Sequence, residues 1–447
     1  MKKRVFTTGI SMIGLLLAAT VVGTLLLSAV FALPTDRIRE NVKESVPQLT
    51  AEGDHFSVFS GLRHTHQDNY SDAEYLNGAM VGSGAKGFYT GLYGLEYQNT
   101  EIPLSYDSPV TVLANVFDDG AKLAFKEYGK RFWNGYEVFV KPLLTFLTYG
   151  QVRHLNFYLE MAVMAILVML MHKNGLTKAV IPVLISYLLW EPVTVAASMA
   201  FAGFFYVTYI PCVLLLAFPR FFRENHLYPL FFMAIGIAAV YFNMNYFQIL
   251  SFIYPLLFTC LINGFPESGK KSVLLFAGAF LCWFSGYAGM MVMKWLVYEV
   301  ATGEAILPDM IVRIRYRLSA TAYYTGPHIS RVFAVLRNAR YVIANVPWMA
   351  TELAFLVVGI VRIAKNKAAY PKIGDLLKAN APSLVLFALS AMTVITRYLL
   401  FANHVYVHAW ATYRIADAAI LAFNIALMNL SSGDHTKHEK VSVAHEI

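Results

Sequence analysis

Long apolar runs separated by short polar connections make up most of the chain. A helix that spans a bilayer needs about 20 mostly apolar residues. One such run extends from about Ile10 to Leu33, and apolar runs dominate again from Leu155 onward. The stretch from Lys178 to Phe218 is too long for one span, which predicts two helices with a tight turn near Ala200. The predicted helices lie near residues 10–33, 155–171, 177–197, 199–218, 228–243, 246–263, 272–298, 346–363, 382–401 and 410–430.

This pattern predicts an all-α polytopic membrane protein with about 10 transmembrane helices and a large extracytoplasmic first loop. Ala32-Leu33-Pro34 could end a cleaved signal peptide, but the apolar run is longer than the usual signal core, so we expect an uncleaved first helix. The predicted segments are a first transmembrane helix (1–32), an extracytoplasmic loop domain with interfacial helices (33–153), transmembrane helices 2–7 (154–299), an Arg-rich extracytoplasmic loop (300–345), transmembrane helices 8–10 (346–430) and a cytoplasmic tail (431–447).

Composition supports a membrane protein and excludes a water-soluble globule. The chain is 57% hydrophobic and 14% charged, whereas soluble domains are nearer about 45–50% and about 25%. The three cysteines lie in apolar runs and are expected to be small buried hydrophobes.

The distribution of Lys and Arg predicts the orientation. Basic residues concentrate in alternate short loops and at both ends of the chain, while the short loops near Ala200 and Asn245 have none. By the positive-inside rule, both termini of this multi-pass cell-membrane protein are then cytoplasmic. The net charge of +8 therefore reflects topology, and no nucleic-acid partner is expected.

The loop at 300–345 departs from this rule because it contains six arginines and no lysine. Arginine is favoured where a planar, bidentate donor meets phosphate or carboxylate. The loop could contact anionic lipid headgroups or bind a phosphorylated substrate. The six residues are Arg313, Arg315, Arg317, Arg331, Arg337 and Arg340.

The polar segment after the first helix contains two histidines and three acidic residues, in the order His64, His66, Asp68, Asp72 and Glu74. Carboxylates in such a place can act as a general base or hold a divalent ion. Spacing i, i+4 would put Asp68 and Asp72 on one helix face. A solvated acidic loop is the alternative.

Two further segments combine basic and aromatic side chains. Arg131 lies in a Lys-Arg-Phe-Trp-Asn-Gly-Tyr segment typical of a membrane interface, and residues 138–147 are expected to form an amphipathic interfacial helix. His404 and His408 share an i, i+4 face ahead of Arg414, a set that could bind metal or phosphate or simply form a polar cap.

Ionisable residues inside apolar runs are costly and usually paired or functional. Glu191, Lys294, Glu352 and Arg397 are such residues. Lys294 is a candidate partner for Glu191, and both Lys294 and Arg397 lie near predicted helix ends.

The layout of one cytoplasmic-start helix, a large acidic outer loop and a polytopic body resembles the GT-C superfamily of membrane glycosyltransferases. Three segments are also similar to those of a group of bacterial polytopic membrane proteins. They are Asp68-Asn-Tyr-Ser-Asp72, Arg131-Phe-Trp-Asn-Gly-Tyr136 and Asn403-His-Val-Tyr-Val-His408-Ala-Trp-Ala-Thr-Tyr-Arg414. The resemblance implies a polyprenyl-linked sugar donor and a catalytic carboxylate in the first outer loop, a role that would fall on Asp68 or Asp72.

The resulting expectation is a transferase that moves a hexose or pentose from a polyprenyl (pyro)phosphate donor to a glycan, lipid or protein acceptor at the extracytoplasmic face. Its phosphate-binding residues would be Arg131, Arg313, Arg315, Arg317, His404, His408 and Arg414. No cofactor is required, although His64, His66, Asp68, Asp72 and Glu74 could hold a divalent cation. The alternatives are a transporter or a lipid or oligosaccharide flippase, and a non-catalytic scaffold.

Overall fold

A computed structural model describes residues 2–82, 87–101, 108–127, 129–242, 246–321, 328–365 and 372–432. Within these ranges the regular secondary structure is helical apart from one two-stranded hairpin and two isolated bridges. Most of the predicted tail, residues 433–447, lies outside the described part. The elements of the first half are α1 (Lys2–Phe31), α2 (Asp36–Glu52), α3 (Asn69–Ala79), α4 (Gly87–Tyr93), β1 (Leu95–Asn99), α5 (Pro109–Asn115), β2 (Leu123–Glu127), α6 (Glu137–Leu144), α7 (Tyr149–Lys173), α8 (Thr177–Leu189), α9 (Pro192–Ala196) and α10 (Met199–Ala217).

The second half continues with long apolar helices and two helices in the Arg-rich loop. Its elements are α11 (Pro219–Glu224), α12 (Tyr228–Tyr241), α13 (Leu250–Asn263), α14 (Gly269–Thr302), α15 (Leu307–Leu318), α16 (Arg331–Ala344), α17 (Val346–Lys365), α18 (Ile373–Ala379), α19 (Ala381–Leu400), α20 (Ala402–Val407), α21 (Ala409–Thr412) and α22 (Asp417–Ser432).

Seven helical segments in the described part are long and apolar enough to cross a membrane. They are Thr7–Phe31, Tyr149–Lys173, Met199–Ala217, Gly269–Thr302, Val346–Lys365, Ala381–Leu400 and Ala409–Ser431. The prediction of an all-α protein with helices long and apolar enough to cross a membrane is thus confirmed. Three more apolar helices, α8, α12 and α13, have 13 or 14 residues, so the count of about ten stays a prediction.

The predicted helix over 177–197 is wrong, because the chain breaks at Trp190 and Glu191. Glu191 has a left-handed backbone (φ 59°) and Pro192 begins α9. Proline lacks the N–H that would continue α8, and it disfavours a helical conformation in the residue before it. The next helix starts at Met199, close to the turn predicted near Ala200.

The block between α1 and α7 has its own hydrophobic core, and we call it the polar block after its composition. Ile38, Val42, Leu76 and Leu113 are fully buried in it. The core also includes Tyr149 from the first turn of α7. The expected interfacial helix is α6, and its Glu137 and Lys141 are buried.

Hydrogen bonds connect the polar block and the end of α12 with α1 and α14. The Gly135 N–H donates to the Tyr241 carbonyl at the end of α12 (2.9 Å), and Tyr241 Oη donates to Gly23 of α1 (2.7 Å). Trp133 Nε1 donates to the Met290 carbonyl of α14 (2.7 Å). We call this end of the bundle the polar end.

Lys294 does not pair with Glu191, which contradicts the suggested partnership. Its ammonium donates to the Leu92 carbonyl (2.8 Å) and lies 5.7 Å from the Trp133 ring centroid. Lys294 thus anchors α14 to the polar block, while Glu191 contacts His64 (Nε2 to Oε1, 3.4 Å).

Candidate functional site

The segment from His64 to Asp68 is fixed to the polar ends of the helices by its backbone carbonyls. The His64 carbonyl accepts from Tyr413 Oη (3.1 Å) and Arg414 Nη2 (3.4 Å), and the Thr65 carbonyl accepts from Thr194 Oγ1 (3.4 Å). The early acidic segment and the 404–414 segment, far apart in the chain, therefore lie against each other.

Asp68 is fully buried and begins α3 as its N-cap. Its Oδ1 accepts from the Ser71 N–H (3.1 Å), which satisfies a free donor in the first turn. Oδ2 has no hydrogen-bond partner among the described residues, although the Tyr246 and Ser71 hydroxyls lie near the carboxylate. Burial raises the pKa of Asp68 above its usual value. Asp68 therefore has one oxygen that can take up a proton.

Asp72 has a different environment, because both of its oxygens are used within the protein. Oδ1 accepts from the Ala200 N–H (2.8 Å), and Oδ2 accepts from the Met199 N–H (3.1 Å) and from Tyr149 Oη. The carboxylate thus caps α10 from another helix, where the N-terminus favours negative charge. Burial and the neighbouring Asp68 raise the pKa of Asp72 to about 7. These contacts favour a structural role for Asp72.

Tyr246 connects Asp68 with the histidine pair. Its hydroxyl interacts with Asp68, and its ring centroid lies 5.6 Å from His404 and 5.5 Å from His408. Trp410 lies at the same place, 6.5 Å from both Tyr246 and His408. A carboxylate, a phenol, two imidazoles and an indole therefore form one contiguous cluster, which we call the Asp68 cluster.

The two imidazoles are adjacent, with ring centroids 4.9 Å apart. His404 lies in α20, and His408 is the residue directly after its end. His404 Nδ1 is buried without a hydrogen-bond partner among the described residues. Burial lowers the pKa of His404 and lowers that of His408 to about 3. Both rings are therefore neutral at pH 7, so they can donate hydrogen bonds to a phosphate but add no positive charge.

The loop arginines are spread over several contacts. Arg317 lies near His404 and His408, since it acts electrostatically on both. Arg315 is exposed and Arg313 is half-buried near Asp309. Arg317 is thus the loop arginine that the structure brings to the Asp68 cluster.

The other arginines of the loop stabilise nearby chain segments. Arg331 donates to the carbonyls of Leu399 and Leu400 at the end of α19, where a cation is favourable. Arg337 lies 4.3 Å from the Tyr406 ring centroid, and Arg340 is exposed.

Arg131 pairs with a carboxylate of α15. Its Nε and Nη2 donate to both oxygens of Asp309, with Nη2 3.0 Å from Oδ1, and this contact lowers the pKa of Asp309. The bidentate pair fastens α15 to the polar block.

Arg414 has no exposed surface, and its donors are directed at backbone carbonyls. Nε donates to Trp190 (2.8 Å), Nη1 to Trp410 (3.3 Å) and Nη2 to His64 (3.4 Å). The guanidinium thus connects the break after α8 with the 404–414 segment. Its contacts indicate a positioning role and no direct access to a phosphate.

Among the described residues, no group of three His, Cys, Asp or Glu side chains could hold a metal ion. His64 faces Glu191, and Glu74 acts on Glu96 within the polar block. His66 stacks on the exposed His55, with ring centroids 6.3 Å apart. The five metal-ligand candidates thus have separate surroundings, apart from the two aspartates.

Sequence reasoning missed several residues that the structure places in or beside the Asp68 cluster or in the interior of the bundle. Tyr246 falls at the start of a predicted helix, and His55, whose ring centroid lies 4.6 Å from Trp410, stands outside the sequence motifs. Glu160 and Asp417 are fully buried acids within predicted helices. The last two could have been found from the cost of a carboxylate inside an apolar run.

Comparison with protein-family models, with curated proteins and with solved structures gives no match for this chain.

Proposed function

We propose that the chain is a membrane-embedded glycosyltransferase of the polyprenyl-phosphate type, with Asp68 as the base. The single observation that supports this most is the buried Asp68 carboxylate with Oδ2 free of hydrogen bonds among the described residues, beside Tyr246 and the histidine pair. A group with a raised pKa and an unused oxygen suits proton abstraction near neutral pH.

In the proposed reaction, Asp68 takes the proton of an acceptor hydroxyl as that oxygen forms a bond to the sugar's anomeric carbon. The bond from this carbon to the donor phosphate breaks, and the polyprenyl phosphate leaves with the electron pair. Donors placed where negative charge develops are usually the largest catalytic contribution. Arg317 would supply the charge, and the neutral His404 and His408 would supply hydrogen bonds.

Aromatic side chains next to the cluster suit a sugar. Trp410 and the rings of His55 and His66 lie together, with His55–Trp410 at 4.6 Å and His66–Trp410 at 6.1 Å. Tyr70 stacks on His55 and is 40% exposed. These rings offer apolar faces at the polar end that can cover one face of a hexose or pentose.

A clear apolar groove in the structure lies elsewhere. It has a volume of about 480 Å³ and lies between α1 and α11–α12, lined by residues that include Gly14, Phe222 and Ala234. Tyr241, at the other end of α12, contacts the polar block. The groove is thus at the opposite end of α12, and we do not assign the donor's prenyl chain to it.

The proposal is tested by transfer assays on the purified protein in nanodiscs, with a panel of polyprenyl-phosphate-linked hexoses and pentoses. The readout is release of polyprenyl phosphate. Asp68→Asn should lower the rate by at least about 100-fold, the lower end for loss of a general base. The exposed Glu44→Gln is the matched control and should keep the wild-type rate. A wild type that turns over no donor, or an Asp68→Asn variant with the full rate, contradicts the proposal.

A transporter or flippase is the second candidate, favoured by the buried acids Glu160 and Asp417. Transporter sites lie inside the helix bundle, where ionisable groups bind the transported or coupling ion. Transport by proteoliposomes without release of polyprenyl phosphate would favour this alternative.

A further inference from the structure

The interior of the helix bundle contains buried polar atoms that the proposed reaction does not use. Five of the atoms that have no hydrogen-bond partner at normal geometry among the described residues concern us here. They belong to α7, α8, α10 and α22, and they are Glu160 Oε2, Ser186 Oγ, Tyr187 Oη, Tyr209 Oη and Asp417 Oδ1. An unsatisfied polar group in an apolar interior costs on the order of 1–3 kcal/mol, and more when charged.

Glu160 forms one end of this set. Its Oε1 accepts from Asn156 Nδ2 (3.1 Å), and Asn156 Oδ1 in turn accepts from Tyr206 Oη (2.7 Å). Tyr187 of α8 also acts electrostatically on Glu160. The groups facing this carboxyl from α7, α8 and α10 are thus an amide and two phenols, without a salt bridge in the described part.

Asp417 forms the other end. Its Oδ2 accepts from Trp190 Nε1 (2.6 Å) and from Tyr254 Oη. Ser186 and Tyr209 lie close to the same carboxyl. The other titratable groups that act on it are Glu352 of α17 and Tyr413, neither of which is a cation.

Aromatic rings connect the two ends. Tyr187 and Tyr209 have ring centroids 5.9 Å apart, and Tyr209 and Tyr254 are 5.3 Å apart. Tyr209 and Tyr254 are fully buried and Tyr187 nearly so. The space between the carboxyls is therefore filled by side chains, which favours the smallest ligand, a proton.

We propose that Glu160 and Asp417 form a proton-binding pair inside the bundle, connected by the hydroxyls of Tyr187 and Tyr209. An ionised carboxyl without a cation partner is costly in an apolar interior, so binding a proton removes the charge. Each protonated acid also becomes a donor, which the unused phenol and hydroxyl oxygens can accept. This goes beyond sugar transfer, because it assigns exchangeable protons to two acids that the proposed reaction does not use.

Infrared spectroscopy of the full-length protein in nanodiscs tests this pair, because protonated carboxyls have a C=O stretch separate from that of carboxylates. At neutral pH the bands of the wild type should include one from Glu160 and one from Asp417, both of which shift in D₂O, beside a band from Asp72, whose pKa is about 7. Glu160→Gln should remove one and Asp417→Asn the other, while Glu44→Gln should remove neither. Absence of both bands, or their persistence in both variants, overturns the proposal.

Tyr209→Phe keeps the ring and removes the connecting hydroxyl, so it tests the link without removing an acid. It should shift the frequency of both bands. Bands that stay unchanged in Tyr209→Phe would show that the two acids are independent and overturn the pair. This variant also decides the question if an acid substitution fails to fold.

Discussion

Asp72 is expected to hold the polar block to α10, and its removal should destabilise the protein more than removal of Asp68. Asp72→Ala leaves the N–H groups of Met199 and Ala200 without their acceptor and leaves Tyr149 Oη without its main partner. Loss of an N-terminal cap costs about 0.5–2 kcal/mol. A buried hydroxyl left unsatisfied costs about 1–3 kcal/mol. The expected total is therefore about 1.5–5 kcal/mol.

The pH dependence of stability provides a second measure of the same residue. Burial raises the pKa of Asp72 from its ordinary value of 3.8 to about 7 in the folded protein. The folded state therefore binds a proton that the unfolded state releases between about pH 4 and 7, so stability decreases as pH rises through this window. At about 1.4 kcal/mol for each pKa unit, the contribution reaches about 4 kcal/mol. Asp72→Asn should remove this part of the pH dependence.

The assay is unfolding of the purified protein in mixed micelles, followed by tryptophan fluorescence at several pH values. Asp68→Ala should cost less, because Asp68 accepts one backbone hydrogen bond with Oδ1. Glu44→Ala, at an exposed position of the same block, serves as the control. An Asp72→Ala variant within about 0.5 kcal/mol of wild type, the usual surface effect, would refute the capping role. So would an Asp68→Ala variant that is the less stable of the two.

Three further predictions follow from packing and charge. Gly236→Ala should lower the free energy of unfolding by about 1–3 kcal/mol or more, the usual cost of overpacking, because the new Cβ would lie 1.9 Å from the Trp283 carbonyl oxygen. Gly14→Ala is the control: its Cβ meets no atom within 4 Å, so it should be nearly neutral in the same unfolding assay. Arg414→Lys should lower the melting temperature, because one ammonium cannot reach the separate carbonyls that the guanidinium contacts; a wild-type melting temperature would contradict this. As the pH is lowered, the transfer rate should begin to fall above the usual aspartate pKa, because burial raises the pKa of Asp68 and only the ionised carboxylate accepts a proton. A rate that stays constant down to the ordinary aspartate pKa would exclude Asp68 as the base.

The apolar pattern predicted most long helices because length and mean apolarity decide whether a segment can cross a bilayer. It predicted both ends of α14 and α19 to within four residues, whereas α7 begins six residues before the predicted start. It could not show the break at Glu191, since the surrounding residues are as apolar as those of an unbroken helix. Pro192 was the available signal, because the residue before a proline seldom stays helical.

Polar side chains along α7 were harder to interpret from mean apolarity. Tyr149, Arg153, Asn156 and Glu160 follow one another at spacings of 4, 3 and 4 and are buried together on one face of α7. That spacing is helical and indicates a polar face directed into the bundle. The partners of these residues, such as Tyr206, come from other helices and cannot be inferred from spacing.

The candidate site was predictable in part. Sequence features indicated the aspartates and the histidine pair, and the structure brings Asp68 and His404 to the same ring, Tyr246. Which aspartate has an unused oxygen depends on the position of α10, which a local pattern does not contain. The expected phosphate contacts of Arg131 and Arg414 depend likewise on remote groups, Asp309 and the Trp190 carbonyl.

A cryo-electron-microscopy map of the protein in nanodiscs with a bound polyprenyl-phosphate hexose tests the central claim most directly. The account predicts the donor phosphate within reach of Arg317 and the sugar between Asp68 and Trp410. Donor density confined to the groove between α1 and α12, or density remote from Asp68, would contradict it.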